Sequence, residues 1–335
     1  MQPVIYGMSG LSLTPDERDF FRDADPAGYI LFARNCEDKD QMRTLTDSLR
    51  ALHGRDDVPI LIDQEGGRVA RMRPPVWPEF PTAERFADLY RVAPASAIEA
   101  ARANAQAIAV VLREVGVNVN CLPLLDVREE GASSIIGDRA LGYEPMQVAA
   151  LGRAVLEGMA AAGVVGVVKH MPGHGRAPVD SHLELPVVDA SEEALEIDLE
   201  PFTTLRNAPM GMTAHVVYTA WDNERCASLS PIVIEAIIRG RIGFDGFLMS
   251  DDLSMHALSG RFADRARSVV EAGCDAGLHC SGDMVEMQDI ASSIGEMSPR
   301  SRERLDRAMA SVAGAGQGAP YEELAAKRDS LLAYA

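Results

Sequence analysis

The sequence lacks several features that would assign it to a membrane, secreted or nucleic-acid-binding class. No run of about 18 apolar residues occurs among its 335 residues, so we expect no membrane-spanning helix. Residues 1–7 show no basic segment followed by an apolar one, which predicts a cytoplasmic protein without a signal peptide. The formal net charge is −18 and no basic run occurs, so we expect no nucleic-acid partner.

Cysteine is scarce and irregularly placed. The five thiols are dispersed along the chain and no two of them are spaced as CxxC, so the sequence predicts neither a zinc ribbon nor a disulfide framework. We expect reduced thiols that are mostly buried. They are Cys36, Cys121, Cys226, Cys274 and Cys280.

What the sequence does contain is an alternation of short apolar segments with helical patterns. The apolar segments lie at residues 3–6, 28–32, 58–62, 117–121, 164–168, 211–213, 246–249 and 275–280. Helical patterns cover about 39–52, 84–114, 145–162, 261–272, 283–294, 299–313 and 320–333, and other helices begin near Thr14, Ser191 and Ser230. Continuous apolar strands that alternate with helices indicate a parallel sheet with both faces covered.

Eight such units predict a (β/α)8 barrel over residues 1–335, one domain with extra helices at its C-terminal end. The alternative is a doubly wound open sheet, but no GxGxxG motif follows the first strand. Polar residues also end many different strands, and in a barrel all of those ends meet at one mouth. These residues are Asn35, Asp63, Asp126, Lys169, His215 and Asp251.

The stretch 169–182 contains three of the seven histidines and follows a buried strand. Lys169 and His170 lie at the predicted strand end, and we interpret His174 as part of the loop architecture. Asp180 lies two residues before His182 and can raise the pKa of that imidazole, which makes it a competent general acid. Both residues lie far out along the loop, so we expect that they must be carried into place.

A metal site is the rival interpretation of this stretch, with His170, His174, His182 and Asp180 as ligands. The stretch lacks the helical i, i+4 histidine pair of a hydrolase zinc site, so we expect no metal.

Other charged residues at the predicted mouth suit the binding of a polar ligand. Asp63 with Arg71 could hold a polyol by charge-assisted hydrogen bonds, and the alternative is a structural ion pair. Arg139 and Lys169 suggest recognition of an anionic or strongly polar group, again with a structural salt bridge as the alternative. Asp251 could serve as a nucleophile, metal ligand or base, whereas Asp252 is the more natural helix cap.

With these residues assembled, the chain resembles glycoside hydrolase family 3, in its bacterial β-N-acetylhexosaminidase branch. The resemblance runs from about residue 28 to 280. It rests on ILFARN at 30–35, IDQEGGRV at 62–69, IGDR at 136–139, KHMPGHG at 169–175, DSH at 180–182, MTAH at 212–215 and SDDLSM at 250–255.

The resemblance implies a retaining hydrolase without metal or cofactor, in which Asp251 is the nucleophile and His182, tuned by Asp180, is the acid/base. It also implies that Asp63, Arg71, Arg139, Lys169 and His170 hold the 2-acetamido sugar. The expected substrate is a β-linked N-acetylglucosaminide, such as a 1,6-anhydro-muropeptide of cell-wall recycling, and we expect a monomer. A glycosyl phosphorylase and a non-catalytic sugar-binding barrel remain the alternatives.

Three departures from the family pattern accompany these matches. Met171 stands where phenylalanine is usual, and residues 139–142 read RALG instead of RSFG. Arg176 and Pro178 replace small or acidic residues, which puts in doubt how the loop folds and which leaving group it prefers.

Overall fold

Eight parallel strands close into a barrel in a computed structural model that describes residues 1–315 and 318–334. The described residues form ten strands: β1 Gln2–Gly7, β2 Pro26–Leu31, β3 Ile60–Ile62, β4 Val119–Asn120, β5 Val165–Met171, β6 Val187–Val188, β7 Met210–Thr213, β8 Val217–Tyr218, β9 Phe247–Asp252 and β10 Ala276–His279. Around the barrel the strands follow the order β1-β10-β9-β7-β5-β4-β3-β2. The predicted (β/α)8 barrel is confirmed, and the open-sheet alternative is wrong.

Helices surround this barrel. They are α1 Pro15–Ala24, α2 Lys39–His53, α3 Ala83–Val92, α4 Pro94–Glu114, α5 Pro145–Ala161, α6 Glu192–Thr204, α7 Phe262–Glu271, α8 Met284–Ala291, α9 Pro299–Ala310 and α10 Tyr321–Leu332. A π-helical segment spans Val233–Ile242. Within the described part of the chain, no helix combines the length and the hydropathy needed to cross a membrane.

The single helix predicted over 84–114 is wrong, because α3 and α4 are separate. Ala93 has φ −147° and ψ 75°, outside the helical region. Proline disfavours the helical conformation of the residue before it and lacks an N–H, so Pro94 ends one helix and begins the next.

Two strands are longer than predicted, and the difference concerns the site. Strand β5 includes Lys169 and His170, and β9 includes Asp251 and Asp252. These side chains are therefore fixed by the barrel ladder and not by a following loop. The sequence analysis also missed β6 and β8, which pair in parallel outside the barrel; two-residue strands carry too little pattern to be recognised.

The strands are apolar on both faces because one face fills the barrel and the other lies under the helices. Ile30, Leu61 and Val119 share an interior cluster, whereas Tyr29 and Ile60 pack in the outer cluster. Leu305 and Met309 of α9 belong to the interior cluster. Helix α9 therefore closes the N-terminal end and leaves the C-terminal ends of the strands as the open mouth.

Strand β4 has only two residues, and two buried asparagines extend its pairing with β3. The amide of Asn118 accepts from Ile60 N at 2.7 Å and donates to Val58 O at 2.9 Å. The amide of Asn120 accepts from Gln64 N and donates to Gln64 O, both at 3.0 Å. Side-chain amides thus satisfy backbone groups that a longer ladder would have paired.

We expect Asn120→Leu to lower the free energy of unfolding by roughly 2–5 kcal/mol, because it leaves the buried backbone N–H and C=O of Gln64 without hydrogen-bond partners. Urea denaturation monitored by circular dichroism measures the change. Asn207→Leu is the matched control, since Asn207 is exposed. Equal stability of the two variants would contradict this account of the β3–β4 pairing.

Candidate active site

A cavity of about 320 Å³ opens at the C-terminal ends of the barrel strands. The eight residues to which the family resemblance gives a role all line it: Asp63, Arg71, Arg139, Lys169, His170, Asp180, His182 and Asp251. Three other strand-end residues that we expected at the mouth, Asn35, Asp126 and His215, are not part of the lining. The eight residues come from strands β5 and β9 and from the loops after β3, β4 and β5. The structure therefore brings together residues that lie up to 188 positions apart in sequence (63 to 251). Their individual roles stay predictions.

One wall of the cavity is a network of buried charges. The ammonium of Lys169 lies 3.0 Å from Asp63 Oδ1 and 2.7 Å from Glu65 Oε1. Arg139 binds Glu65 in a bidentate manner, with both contacts at 2.8 Å, and Arg71 donates to Asp63 Oδ2 at 3.1 Å. The salt-bridge alternative for Arg139 and Lys169 is therefore present in the structure, although both residues also face the cavity. We refer to these five residues as the charge network.

The network keeps its members ionised. Burial by itself raises the pKa of Asp63, but the cations of Lys169 and Arg71 outweigh it and hold that pKa well below its usual range. The pKa of Glu65 is lowered in the same way by Lys169 and Arg139. Burial lowers the pKa of Lys169, whereas the two carboxylates raise it further, so the amine stays charged. Oriented, charged donors and acceptors of this kind suit the hydroxyl and amide groups of a sugar.

Glu65 is a member of the network that sequence reasoning did not select. It lies within the DQEGG motif, and the only available signal was its place two residues after Asp63. That spacing puts both carboxylates just beyond β3, but the partners Arg139 and Lys169 lie more than 70 residues further along the chain (74 and 104). Such pairing follows from barrel closure and not from local pattern.

A second buried carboxylate, Asp126, organises the two histidines that begin the loop. Its Oδ2 lies 2.8 Å from His170 Nδ1, and its Oδ1 accepts from the backbone N–H groups of His170 and His174 at 3.1 and 2.7 Å. Burial raises the pKa of Asp126, but its histidine partners lower it to about 2. The contact occupies Nδ1 of His170 and leaves Nε2 as the ring nitrogen available to a ligand.

Asp251 is the last but one residue of β9 and is half-buried, with its carboxylate accepting from Asp252 N at 2.8 Å. Burial raises its pKa, but His170, His215 and this N–H lower it below the ordinary value. The carboxylate is therefore ionised near neutral pH. His215 supports this strand end, because its Nε2 donates to Asp252 O at 3.0 Å while its Nδ1 lies 2.8 Å from Ser228 Oγ.

The carboxylate of Asp252 has a different task. Its Oδ1 accepts from Ser254 N at 2.9 Å and from Cys280 N at 3.1 Å. The next helix begins only at Phe262, so Asp252 caps a turn and not the helix that we expected. Both aspartates line the cavity. They differ in that Oδ1 of Asp252 is engaged by two backbone N–H groups, whereas the carboxylate of Asp251 accepts from one.

Asp180 and His182 form a closely bonded pair on the loop above the cavity. Asp180 Oδ1 lies 2.8 Å from His182 Nδ1 and accepts from His182 N at 2.9 Å. Burial raises the pKa of Asp180, but these two hydrogen bonds, together with the charges of His182 and His174, lower it overall. The His182 side chain is 60% exposed, and the occupied Nδ1 leaves Nε2 available for proton transfer. We call these two residues the Asp-His pair.

Arg176 departs from the family pattern, which put the loop conformation in doubt. Its side chain points away from the cavity. Its Nε lies 2.5 Å from Asp198 Oδ2 on α6, and its other nitrogens lie 2.5 Å from Glu129 and 3.1 Å from Ala194 O. Arg176 therefore fastens the loop to α6 and to the preceding loop. The neighbouring Pro178 is exposed.

The three histidines of the stretch 169–182 each have a partner of their own: Asp126 for His170, Ser181 for His174 and Asp180 for His182. Over residues 1–315 and 318–334, no group of three His, Cys, Asp or Glu side chains is placed to hold a metal ion.

Comparison with known proteins gives a consistent family match. The model of the glycosyl hydrolase family 3 N-terminal domain matches residues 8–314. A β-hexosaminidase of Methylococcus capsulatus is 41% identical over 282 residues, which cover 83% of this chain and 82% of the relative. A β-hexosaminidase of Aromatoleum aromaticum is 36% identical over 309 residues, covering 91% of this chain and 86% of that one.

Solved structures agree with the family match. NagZ from Neisseria gonorrhoeae, in complex with N-trifluoroacetyl-D-glucosamine, superimposes with a TM-score of 0.88 and 31% identity. That match covers 99% of this chain and 98% of the NagZ chain. A family 3 β-N-acetylglucosaminidase from Paenibacillus gives a TM-score of 0.83 at 30% identity, with 98% of this chain and 66% of that one covered.

We expect Arg176→Ala to destabilise the protein by about 3 kcal/mol at pH 8, because it leaves the buried carboxylate of Asp198 without its cation. Burial already raises the pKa of Asp198 to about 6 against the opposing effect of Arg176, so loss of Arg176 raises it further. Below that raised pKa the carboxyl takes up a proton and its burial costs less, so the loss should be smaller at pH 5.

Unfolding in urea at the two pH values measures this difference. The double variant Arg176→Met with Asp198→Leu removes both charges and should recover most of the stability. A loss that is the same at pH 5 and pH 8 would contradict the assignment to Asp198.

Proposed function

This chain belongs to glycosyl hydrolase family 3, and on that basis we propose the reaction that its cavity performs. The chain is a glycoside hydrolase of the β-N-acetylhexosaminidase type. We propose that it removes a terminal, non-reducing N-acetylglucosamine with retention of configuration, with Asp251 as nucleophile and His182 as acid/base. The observation that carries this proposal is that Asp251 and the Asp-His pair line the same cavity, beside the charge network.

In the first step of the proposed reaction, the carboxylate of Asp251 attacks the anomeric carbon and the glycosidic bond breaks. His182 gives the proton of its Nε2 to the departing oxygen, so the aglycone leaves as a neutral alcohol. In the second step a water molecule attacks the same carbon and returns its proton to His182, while Asp251 leaves as carboxylate. Asp180 holds the imidazole ring at Nδ1, so Nε2 carries out both proton transfers.

A single carboxylate with a histidine differs from the carboxylate pair that most retaining glycosidases use. The geometry supports a histidine in place of the second carboxylate, because the ring of His182 is held at Nδ1 by Asp180 and is exposed at the cavity. An exposed acid/base is also accessible to the water of the second step.

We propose that the charge network and His170 hold the N-acetylglucosamine ring. Lys169 and Arg139 offer donors and Asp63 offers an acceptor at the closed wall of the cavity. The aglycone then lies toward His182, on the open side, where we expect the muramoyl part of a 1,6-anhydro-muropeptide. The known ligand of the Neisseria NagZ structure is an N-acylated glucosamine, which is consistent with this placement.

Turnover of 4-nitrophenyl N-acetyl-β-D-glucosaminide and of a 1,6-anhydro-muropeptide tests the proposal. Proton NMR of the first-formed sugar reports the stereochemistry, and the β-anomer is expected. Repeating the assay with and without inorganic phosphate separates the hydrolase from a phosphorylase, which would release the sugar 1-phosphate. Absence of turnover, despite measurable binding of N-acetylglucosamine, would favour a sugar-binding protein instead.

We expect Asp251→Asn to lower kcat by roughly 10³-fold or more, because the amide cannot form the glycosyl ester. The Kd for N-acetylglucosamine should stay within a few-fold, since the charge network remains intact. Asp264→Asn, at an exposed position of α7, is the control. Activity near that of the unmodified protein in Asp251→Asn would exclude Asp251 as the nucleophile.

We expect His182→Ala to lower kcat/KM for N,N′-diacetylchitobiose by about 10²–10⁴-fold, the usual contribution of a general acid. A 2,4-dinitrophenyl glycoside needs little protonation of its leaving group, so its kcat/KM should change much less. His256→Ala is the matched control, because His256 is exposed and lies outside the cavity lining. Equal losses on both substrates would speak against His182 as the acid.

A further inference from the structure

The Asp-His pair lies in the segment 178–185, and the residues on both sides of this segment are firmly held. Before it, Gly175 packs so closely on the carbonyl of Val127 that no side chain fits there, and Arg176 is bound to α6. After it, Val217 N donates to Pro186 O at 2.9 Å where β6 pairs with β8. Five of the eight residues of the segment, including His182, are exposed.

Within the described residues, a single hydrogen bond joins this segment to the rest of the protein. His174 Nε2 lies 3.1 Å from Ser181 Oγ. Ser181 is 2% exposed, whereas its chain neighbours on both sides reach solvent. The remaining hydrogen bonds of the segment are internal, between Asp180 and residues 182–184. Ser181 is thus the inward anchor of the segment, located between the two members of the Asp-His pair.

We infer that His174 is a positioning residue for the acid/base step, and that it holds the Asp-His pair over the cavity through the hydroxyl of Ser181. The inference rests on the proposed function, because it concerns the same reaction. It adds a role for two residues that the sequence analysis treated as loop architecture or did not select.

The surroundings of His174 suit this role. Its backbone N–H is fixed by Asp126, the carboxylate that also orients the ring of His170. Burial, followed by the charge of His170, lowers the pKa of His174 to about 4, so its ring is neutral near pH 7. A neutral ring can bond to a hydroxyl but cannot itself supply the proton for the first step. One buried carboxylate therefore fixes both a sugar-holding histidine and the anchor of the acid/base segment.

A competing role for His174 is direct contact with the sugar, because it lines the cavity and its Nδ1 is buried without a partner among the described residues. The two roles differ in what they affect. A sugar contact contributes to the binding of N-acetylglucosamine itself, whereas a positioning contact contributes only where the leaving group must be protonated.

The test uses the purified full chain with Ser181→Ala, Ser181→Thr, His174→Ala and His174→Gln. For Ser181→Ala and His174→Ala, kcat/KM for N,N′-diacetylchitobiose should fall about 10- to 100-fold, as misplacement of a catalytic group by about 1 Å does. The 2,4-dinitrophenyl glycoside should lose less than about threefold, since it depends little on the acid. The Kd for N-acetylglucosamine, measured by calorimetry, should not change.

Two further measurements separate positioning from a general structural defect. Ser181→Thr keeps a hydroxyl and His174→Gln keeps a nitrogen near the Nε2 position, so both should recover much of the loss. The double variant with Ala at 174 and 181 should be no worse than either single variant, because both remove the same interaction. Ser301→Ala removes a buried hydroxyl that bonds to Asp275 at the opposite end of the barrel and serves as the control.

Equal losses on both substrates with weaker N-acetylglucosamine binding would overturn the inference in favour of a sugar contact. Undiminished activity of both alanine variants on the chitobiose would also overturn it. Failure of the proposed function gives a different result, namely that the unmodified protein turns over neither substrate.

Discussion

Ionised side chains can be buried at the barrel mouth only when each has an opposite partner, and the charge network satisfies this condition. Asp63 and Glu65 come from the end of β3, Lys169 from β5 and Arg139 from the loop after β4. Burying any one of these charges without its partner would cost several kcal/mol of stability. The network therefore requires that the strand ends meet at fixed distances, and the closed parallel barrel supplies that geometry.

The site divides into a rigid part and a less constrained part. Asp251, Lys169 and His170 lie within strands and share the ladder of the barrel. The Asp-His pair lies on an exposed segment with one inward hydrogen bond. Rigid elements hold a ligand more accurately than loops do. The proposed reaction agrees with this division, because it uses the barrel for sugar recognition and the loop for leaving-group chemistry.

The sequence was sufficient to predict the barrel and eight of the residues that line its cavity. Strand-to-helix alternation is a local pattern, and in a barrel every strand end reaches the same mouth, so Asp63, Lys169 and Asp251 could be selected without coordinates. Their partners could not be selected in this way. The contacts of Glu65 with Arg139 and of His215 with Ser228 depend on how the elements are packed, which no local pattern encodes.

The predicted bounds of several helices and strands were wrong for similar reasons. Pro94 follows a long alanine-rich helical pattern and can either begin a helix or interrupt one, so the pattern alone did not reveal the break. Lys169 and His170 have the polarity of loop residues, but the barrel ladder keeps them in the strand because their partners neutralise them. Tertiary pairing thus overrides the polarity signal at the positions that form the site.

The proposed reaction gives a physical reason for the different hydration of its two groups. A carboxylate that attacks an anomeric carbon must shed its water, and Asp251 is half-buried at a strand end, where one backbone N–H replaces part of that hydration. The acid/base must exchange its proton first with a large aglycone and then with water, so it needs an accessible ring nitrogen, and His182 is 60% exposed. An exposed ring is poorly fixed by packing, so its neighbours have to position it. Asp180 holds the ring of His182 at Nδ1, and the hydroxyl of Ser181 anchors the adjoining backbone through His174.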